Sequence, residues 1–413
     1  MVKSKKGTQG EDSGSEHRGG PLSGWRVLDL GTVYAAPIAA MLLGDYGADV
    51  IKVEHPRGDP ARTHGWQKQG HGLWWKVISR NKKTITLDLG TPAGQKLLRD
   101  LAMHTDVIIE NFRPGVLEKW GIGPEQLLAI NPRLVILRVT GFGQEGPYAG
   151  RAAFGTLAEA MSGFAHQTGV ADGPPTLPPF GLADGIAGIA GAFAVMLALF
   201  ERATRSGKGQ VIDLSLLEPL LGILGPAPTV FDQLRIVPGR QGNRSPNNAP
   251  RNTFETRDKR WVVVSASATA VAERVVRLVG HPELVDEPWF ASAGERARRG
   301  DLFDEIVGAW IAARDMDVVV AEFARVGAAL APVYDIEQLM ADPQVRSRES
   351  IVEVDDADLG PVRMQNVMFR LMGTPGAIRH AGRGLAEDNS GVYRDLLGLE
   401  DDELAALKAE GVI

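Results

Sequence analysis

Asp184 closes the stretch Gly181-Leu-Ala-Asp184 and is followed by an uninterrupted run of apolar residues and glycines, 185–200, bounded by Glu201. A carboxylate at the head of an apolar helix has a ready structural role as N-cap. The same place suits covalent chemistry. The positive end of a helix keeps the group ionised, and amides nearby can steady the oxyanion of a tetrahedral intermediate. Gly185, Gly188 and Gly191 smooth one side of this helix, which serves close helix packing or close backbone approach. Arg113, in Asn111-Phe-Arg-Pro-Gly115, follows an apolar strand at residues 106–110. In an open parallel sheet the carboxyl end of a strand is where ligands bind, so Arg113 reads as a ligand contact.

Other chemistries lack their residues. There is no cysteine, which excludes disulfides, thiolate metal sites and cysteine nucleophiles. The eight histidines show no H-E-x-x-H and no clustered spacing, so no protein metal site is expected. Gly141-Phe-Gly-Gln-Glu-Gly146 matches a dinucleotide fingerprint, but Pro147 follows and no helix opens to meet a pyrophosphate, so it reads as a turn. There is no phosphate-loop sequence for ATP-driven ligation and no G-x-S-x-G elbow. The net charge of -6, with no long basic run, gives no reason to expect nucleic-acid binding.

The elements that must position these residues are legible as alternation. Strands are expected at 25–30, 49–54, 84–89, 106–110 and 134–139. Helices are expected after Pro37, after the cap Thr91-Pro92, and at 124–130. Such alternation implies a parallel sheet covered on both faces. Further along, 154–163 and 184–203 read as helices, 210–214 as a strand, and 226–250 as a long Pro/Gly/Asn-rich connection. The run 185–200 is shorter than the roughly 20 residues a bilayer requires. It is therefore expected to be a buried core helix, with no membrane partner. Residues 1–20 are polar, lack the apolar core of a signal peptide, and read as a disordered tail. With the absence of cysteine, this makes the cytoplasm the expected compartment.

Four stretches occur in a specific order: Leu30-Gly-Thr-Val-Tyr-Ala-Ala-Pro37 with Gly47-Ala-Asp-Val-Ile-Lys-Val-Glu54; Asn81-Lys-Lys-Thr-Ile-Thr-Leu-Asp88 with Thr91-Pro-Ala-Gly94; Glu110-Asn-Phe-Arg-Pro-Gly115 with Gly141-Phe-Gly-Gln-Glu-Gly-Pro147; and Asp172-Gly-Pro-Pro175, Gly181-Leu-Ala-Asp184 and Gly207-Lys-Gly-Gln210. Together they resemble the class III CoA transferases, the CaiB/BaiF family that includes formyl-CoA transferase and the carnitine CoA transferases. The resemblance runs from about residue 21 to the C-terminus. It implies a large α/β domain, a doubly wound, Rossmann-like parallel sheet built from residues 21–221 and 332–413. It also implies a smaller α+β domain at 222–331 and an interlocked homodimer.

The resemblance makes Asp184 the nucleophile, forming an anhydride with the acyl group and then a thioester with CoA. It places coenzyme A as substrate rather than tightly bound cofactor, with a carboxylic acid as the other partner and no metal. Candidate CoA contacts are Val33, Tyr34, His55, Arg57, Lys82, Lys83, Leu89, Asn111, Phe112 and Arg113. Lys82 and Lys83 precede a strand, where exposed lysines are also ordinary. Gly239 and Gly242 are candidates for a loop closing over the reacting atoms, with a polar linker as the alternative. Related racemases carry a proton-abstracting histidine about thirty residues before the same aspartate. That position is Phe154 here, which cannot take a proton. An intramolecular transferase and a non-catalytic acyl-CoA binder are the remaining alternatives. Tyr34 stands where many relatives have glutamine or glycine and would shrink the pocket or donate a hydrogen bond.

Overall fold

The structure, a computed structural model, describes residues 19–413. The expected tail therefore lies outside the described residues as far as residue 18. Six strands form one parallel sheet: β1 (Arg26–Asp29), β2 (Asp49–Glu54), β3 (Lys82–Thr86), β4 (Val107–Glu110), β5 (Val135–Thr140) and β6 (Val211–Ser215), in the order β3-β2-β1-β4-β5-β6. The central strands β4 and β5 are largely apolar on both faces: Val107, Ile108, Ile109, Ile136 and Leu137 are all fully buried. Such strands need cover on each side. Strand β3 begins and ends earlier than the expected 84–89. Leu87 still donates to the Glu54 carbonyl of β2, and the chain leaves the sheet at Asp88, whose amide turns to the carbonyl of Val412.

Helix α1 (Ala35–Asp45) follows β1, α2 (Leu73–Ile78) precedes β3, α3 (Pro92–Ala102) follows β3, and α4 (Pro124–Ile130) follows β4. Thr91 caps α3, its Oγ1 accepting from the Gly94 amide at 3.0 Å. The C-terminal arm closes this core. Tyr393, Val412 and Ile413 are buried with Leu98, Ile85 and Ile108. The Tyr393 hydroxyl donates to the Thr86 carbonyl at 2.7 Å, and Asn389 accepts from the Thr86 amide at 2.9 Å.

Helix α5 (Leu182–Glu201) is only half covered. Ala187, Val195, Ala198 and Leu199 are buried, while Ile189, Phe193, Met196, Leu197 and Phe200 are exposed. The expected buried core helix is corrected accordingly: apolarity runs right round the helix, but packing partners reach one side. Its exposed face borders an open apolar groove of about 530 Å³ shared with Leu22, Tyr46, Met368 and Phe369.

Chain contacts divide the molecule into two compact units. The first comprises residues up to Ala153, Asp184–Leu216 and Ser350–Ile413; the second comprises Phe154–Ala183 and Leu217–Glu349. The second has its own antiparallel sheet, β7 (Arg251–Glu255), β8 (Trp261–Ser265) and β9 (Leu330–Pro332), with β8 central. Its core gathers Phe254, Val262, Val264, Phe303 and Phe323. The stretch 226–250, expected as an extended connection, contains a helix at Ala227–Leu234. Pro226 and Pro228 start that helix rather than prevent it, because the first turn needs no amide donor from either.

Candidate active site

Strand β1 pairs with β2 on one side and β4 on the other, so chain order reverses at β1. At such a switch the loops from adjacent strands part and leave a crevice at the carboxyl ends. Here the loop after β1, residues 30–34, meets the loop after β4, residues 111–115. Asn111 joins them: its Oδ1 accepts from the Thr32 amide at 2.8 Å and its Nδ2 donates to the Thr32 carbonyl at 2.9 Å. Asn111, expected as a ligand contact, thus holds the loop backbone with both ends of its amide. Glu110 is buried beneath. Its Oε2 accepts from the Phe112 amide and its Oε1 from Arg138, both at 2.7 Å. Burial pushes the Glu110 carboxyl up from its ordinary value, against the opposing pull of Arg138.

A cleft of about 230 Å³ lies at the ends of β1, β2 and β3. Leu30, Leu87, Leu89, Phe112 and Trp120 line it, with His55 at the exposed rim. Phe112 and Trp120 meet edge to face at 5.5 Å. The structure therefore brings three of the candidate contacts, His55, Leu89 and Phe112, to one place. Trp120 was not among the candidates, since it belongs to no motif and is carried into the wall by the turn after Gly115. Arg57 and Arg113 are exposed, and neither guanidinium makes an ion pair among the described residues.

Two candidate cations are placed elsewhere. Lys82 is fully buried, its Nζ 2.8 Å from Asp29 Oδ2 and 2.8 Å from the Pro37 carbonyl. It cannot reach a phosphate at a surface; it neutralises a buried carboxylate. Lys83 stands near the amino end of β3, paired with Asp49 at 2.8 Å, at the opposite end of the strands from the cleft. The motif Asn81-Lys-Lys shows two charges but not which face of the pleat each occupies.

Val33 has φ 67°, a left-handed conformation rare for a β-branched residue. It is held from both sides: Asp59 Oδ1 accepts from its amide at 3.4 Å and Trp74 Nε1 donates to its carbonyl at 3.0 Å. Asp59 is itself anchored by the buried Lys52 at 3.0 Å. The result aims Tyr34, the residue before α1, so that its ring lies on Trp74 with centroids 4.7 Å apart. Its hydroxyl is 3.0 Å from Nε2 of His64. Burial, then the negative charge of Asp184, hold the Tyr34 phenol above its ordinary pKa.

Asp184 is half-buried and sits third in α5. Two further residues, Leu182 and Ala183, are helical before it, so it is not the N-cap. The Ala183 amide is satisfied by Glu159 Oε1 at 3.1 Å, which lets the helix begin earlier. Asp184 remains within the first turn, where the helix field favours an anion.

The remaining candidates lie in the second unit. Phe154 is exposed and precedes the helix Gly155–Met161. Gly239 is exposed, and Gly242 adopts φ 62° with its amide donating to the Gly169 carbonyl at 2.8 Å. Arg240 between them donates to the His166 carbonyl at 3.0 Å. The 239–242 segment is thus tied to the 166–169 turn.

Residues 22–389 match the sequence profile described as CoA-transferase family III. The chain belongs to that family. Among members of CoA-transferase family III, succinyl-CoA–D-citramalate CoA-transferase of Chloroflexus aurantiacus is 41% identical over 395 residues, covering 95% of this chain and 98% of the relative. Succinyl-CoA:glutarate CoA-transferase of Homo sapiens is 29% identical, covering 95% and 90%. The crystal structure of a CaiB/BaiF family protein from Brucella suis superposes with a TM-score of 0.80 at 31% identity, covering 92% of this chain and 100% of that one. The protein is a family III CoA transferase, an enzyme whose substrates are CoA thioesters.

Proposed function

We propose that the enzyme moves CoA from an acyl-CoA thioester to a free carboxylic acid with Asp184 as covalent nucleophile. The observation that carries this is the position of Asp184: a carboxylate in the first turn of α5, beside the loop that leaves the β1 switch point. An Asp184 oxygen attacks the thioester carbonyl, and the C–S bond breaks to give an aspartyl-acyl anhydride and CoA thiolate. The thiolate attacks the aspartyl carbonyl carbon and expels the first acid as carboxylate. The second carboxylate attacks the aspartyl thioester carbonyl and breaks its C–S bond, giving a new anhydride and CoA thiolate; the thiolate then attacks the acyl carbonyl of the second acid and releases Asp184 as carboxylate. Neither metal nor ATP enters, because one thioester is exchanged for another.

The apolar cleft between Phe112, Trp120 and Leu89 suits the adenine of CoA, and Arg57 and Arg113 suit its phosphates. Relatives named for citramalate, malate and glutarate make dicarboxylic acids the acceptors to test, with succinyl-CoA as first donor. Asp184→Asn is expected to lose transfer by at least ~10⁴-fold, as for a covalent nucleophile. Intact-mass analysis after incubation with succinyl-CoA is expected to show an adduct on Asp184 of the unmodified enzyme. Full activity of the variant would overturn the assignment. The bare face of α5, with Met368, Phe369 and Met372 also exposed, supports a homodimer in which a second copy covers it.

A further inference from the structure

Tyr34 is fixed from three sides. His64 Nε2 meets its hydroxyl at 3.0 Å, Trp74 backs its ring, and the strained Val33 sets the direction in which it leaves the loop. The remaining side faces α5. A Cβ on Gly188 would come within 2.5 Å of Ile38 Cγ2 and 3.1 Å of the Ala35 carbonyl oxygen, and one on Gly191 within 3.4 Å of Ala39 Cβ. The contacts advance together along both chains, so α1 and α5 run side by side in the same direction at backbone contact. Asp184 lies one turn ahead of Gly188 on the same face of α5. Tyr34 immediately precedes Ala35. The two side chains therefore share the amino ends of two touching helices.

We propose that Tyr34 donates a hydrogen bond to the oxyanion formed when Asp184 reacts, and that His64 is the positioning residue that turns its hydroxyl hydrogen toward Asp184. This rests on the reading of Asp184 as nucleophile. A phenol carries a single hydrogen that rotates about its C–O bond. With Nε2 protonated, His64 donates to the Tyr34 oxygen, and the phenolic hydrogen is left to point away from the imidazole. The carboxylate of Asp184 favours the orientation toward itself. When an Asp184 oxygen bonds to the thioester carbon, the carbonyl π pair moves onto oxygen. The phenol then stabilises that charge until the C–S bond breaks and thiolate leaves. Tyr34 keeps its proton throughout, in keeping with a phenol that burial and a neighbouring anion hold neutral.

The test compares Tyr34→Phe, His64→Ala, His64→Gln and the double variant Tyr34→Phe/His64→Ala, all folded by thermal melting, in succinyl-CoA:dicarboxylate transfer. Loss of the phenol is expected to lower kcat roughly a hundredfold, the usual effect of one oxyanion donor. His64→Ala is expected to lower kcat about tenfold with KM for succinyl-CoA little changed, and the double variant to be no slower than Tyr34→Phe alone. His64→Gln, whose amide can donate in place of Nε2, is expected to recover most of the loss. Wild-type kcat in His64→Ala, or a double variant slowed by the full product of the two factors, would overturn the proposal. Retained transfer in Asp184→Asn would instead overturn the nucleophile reading on which it stands.

Discussion

Lys82 illustrates what a residue type conveys by itself. Its ammonium is shut into the sheet between Asp29 and the end of the first turn of α1. Removing one member of a buried pair leaves the other charge uncompensated, at a cost of about 3–5 kcal/mol. Lys82→Met is therefore expected to lower the denaturant midpoint strongly while the folded fraction keeps its KM for acyl-CoA. A raised KM at unchanged stability would return Lys82 to the binding site. Arg113 predicts the opposite pattern: Arg113→Ala is expected to raise KM for acyl-CoA about tenfold or more, as for a lost charged hydrogen bond, with unfolding unaltered. The places of Asp184 and Arg113 in the fold were legible in the sequence, because their neighbours define a helix start and a strand end. His64 and Trp74 were not. They reach the site through a loop and a short helix whose spacing carries no periodic signal, and only the fold brings them to Tyr34.

The elements of the sheet were legible for a physical reason. Strands covered on both faces are mainly apolar, and the Val/Ile/Leu runs at 106–110 and 134–139 say so plainly. Their connections were less so. The β1 loop depends on an arrangement in which Asn111 ties two loops and Asp59 and Trp74 hold a left-handed valine, none of which leaves a local mark. Asn111→Ala removes both bonds to Thr32. It is expected to raise KM for acyl-CoA and lower kcat together, with little change in the denaturant midpoint, measured by steady-state kinetics beside urea unfolding. Helix α5 was legible as a helix but not in its exposure, since hydropathy records which residues avoid water and not which are sheltered.

At the scale of the molecule, the exposed face of α5 predicts association. Light scattering is expected to give a dimer mass, and Phe193→Asp, a charge placed on that face, to shift the mass toward a monomer. The C-terminal arm carries a pH signature as well. Burial, then the cations Arg383 and Arg379, depress the His380 pKa, while the bond to the Ala381 carbonyl and the charge of Asp388 oppose them. The unfolded chain thus takes its proton first as pH falls. Stability from this group is full above the unfolded value of 6.5 and is lost as pH drops through the lower folded value. His380→Gln is expected to flatten the decline in unfolding free energy between pH 7 and pH 5.

The bonds from Asn389 to Thr86 span 303 positions in the chain. During synthesis, β3 emerges some 300 residues before the arm that pairs with it. At 5–20 residues per second the ribosome needs roughly 15 to 60 s to cross that interval. Throughout it, the apolar flank that Tyr393, Val412 and Ile413 will cover is bare. Messages that slow translation over the second unit lengthen that interval and should lower the soluble yield, measured as the soluble fraction beside an unslowed control.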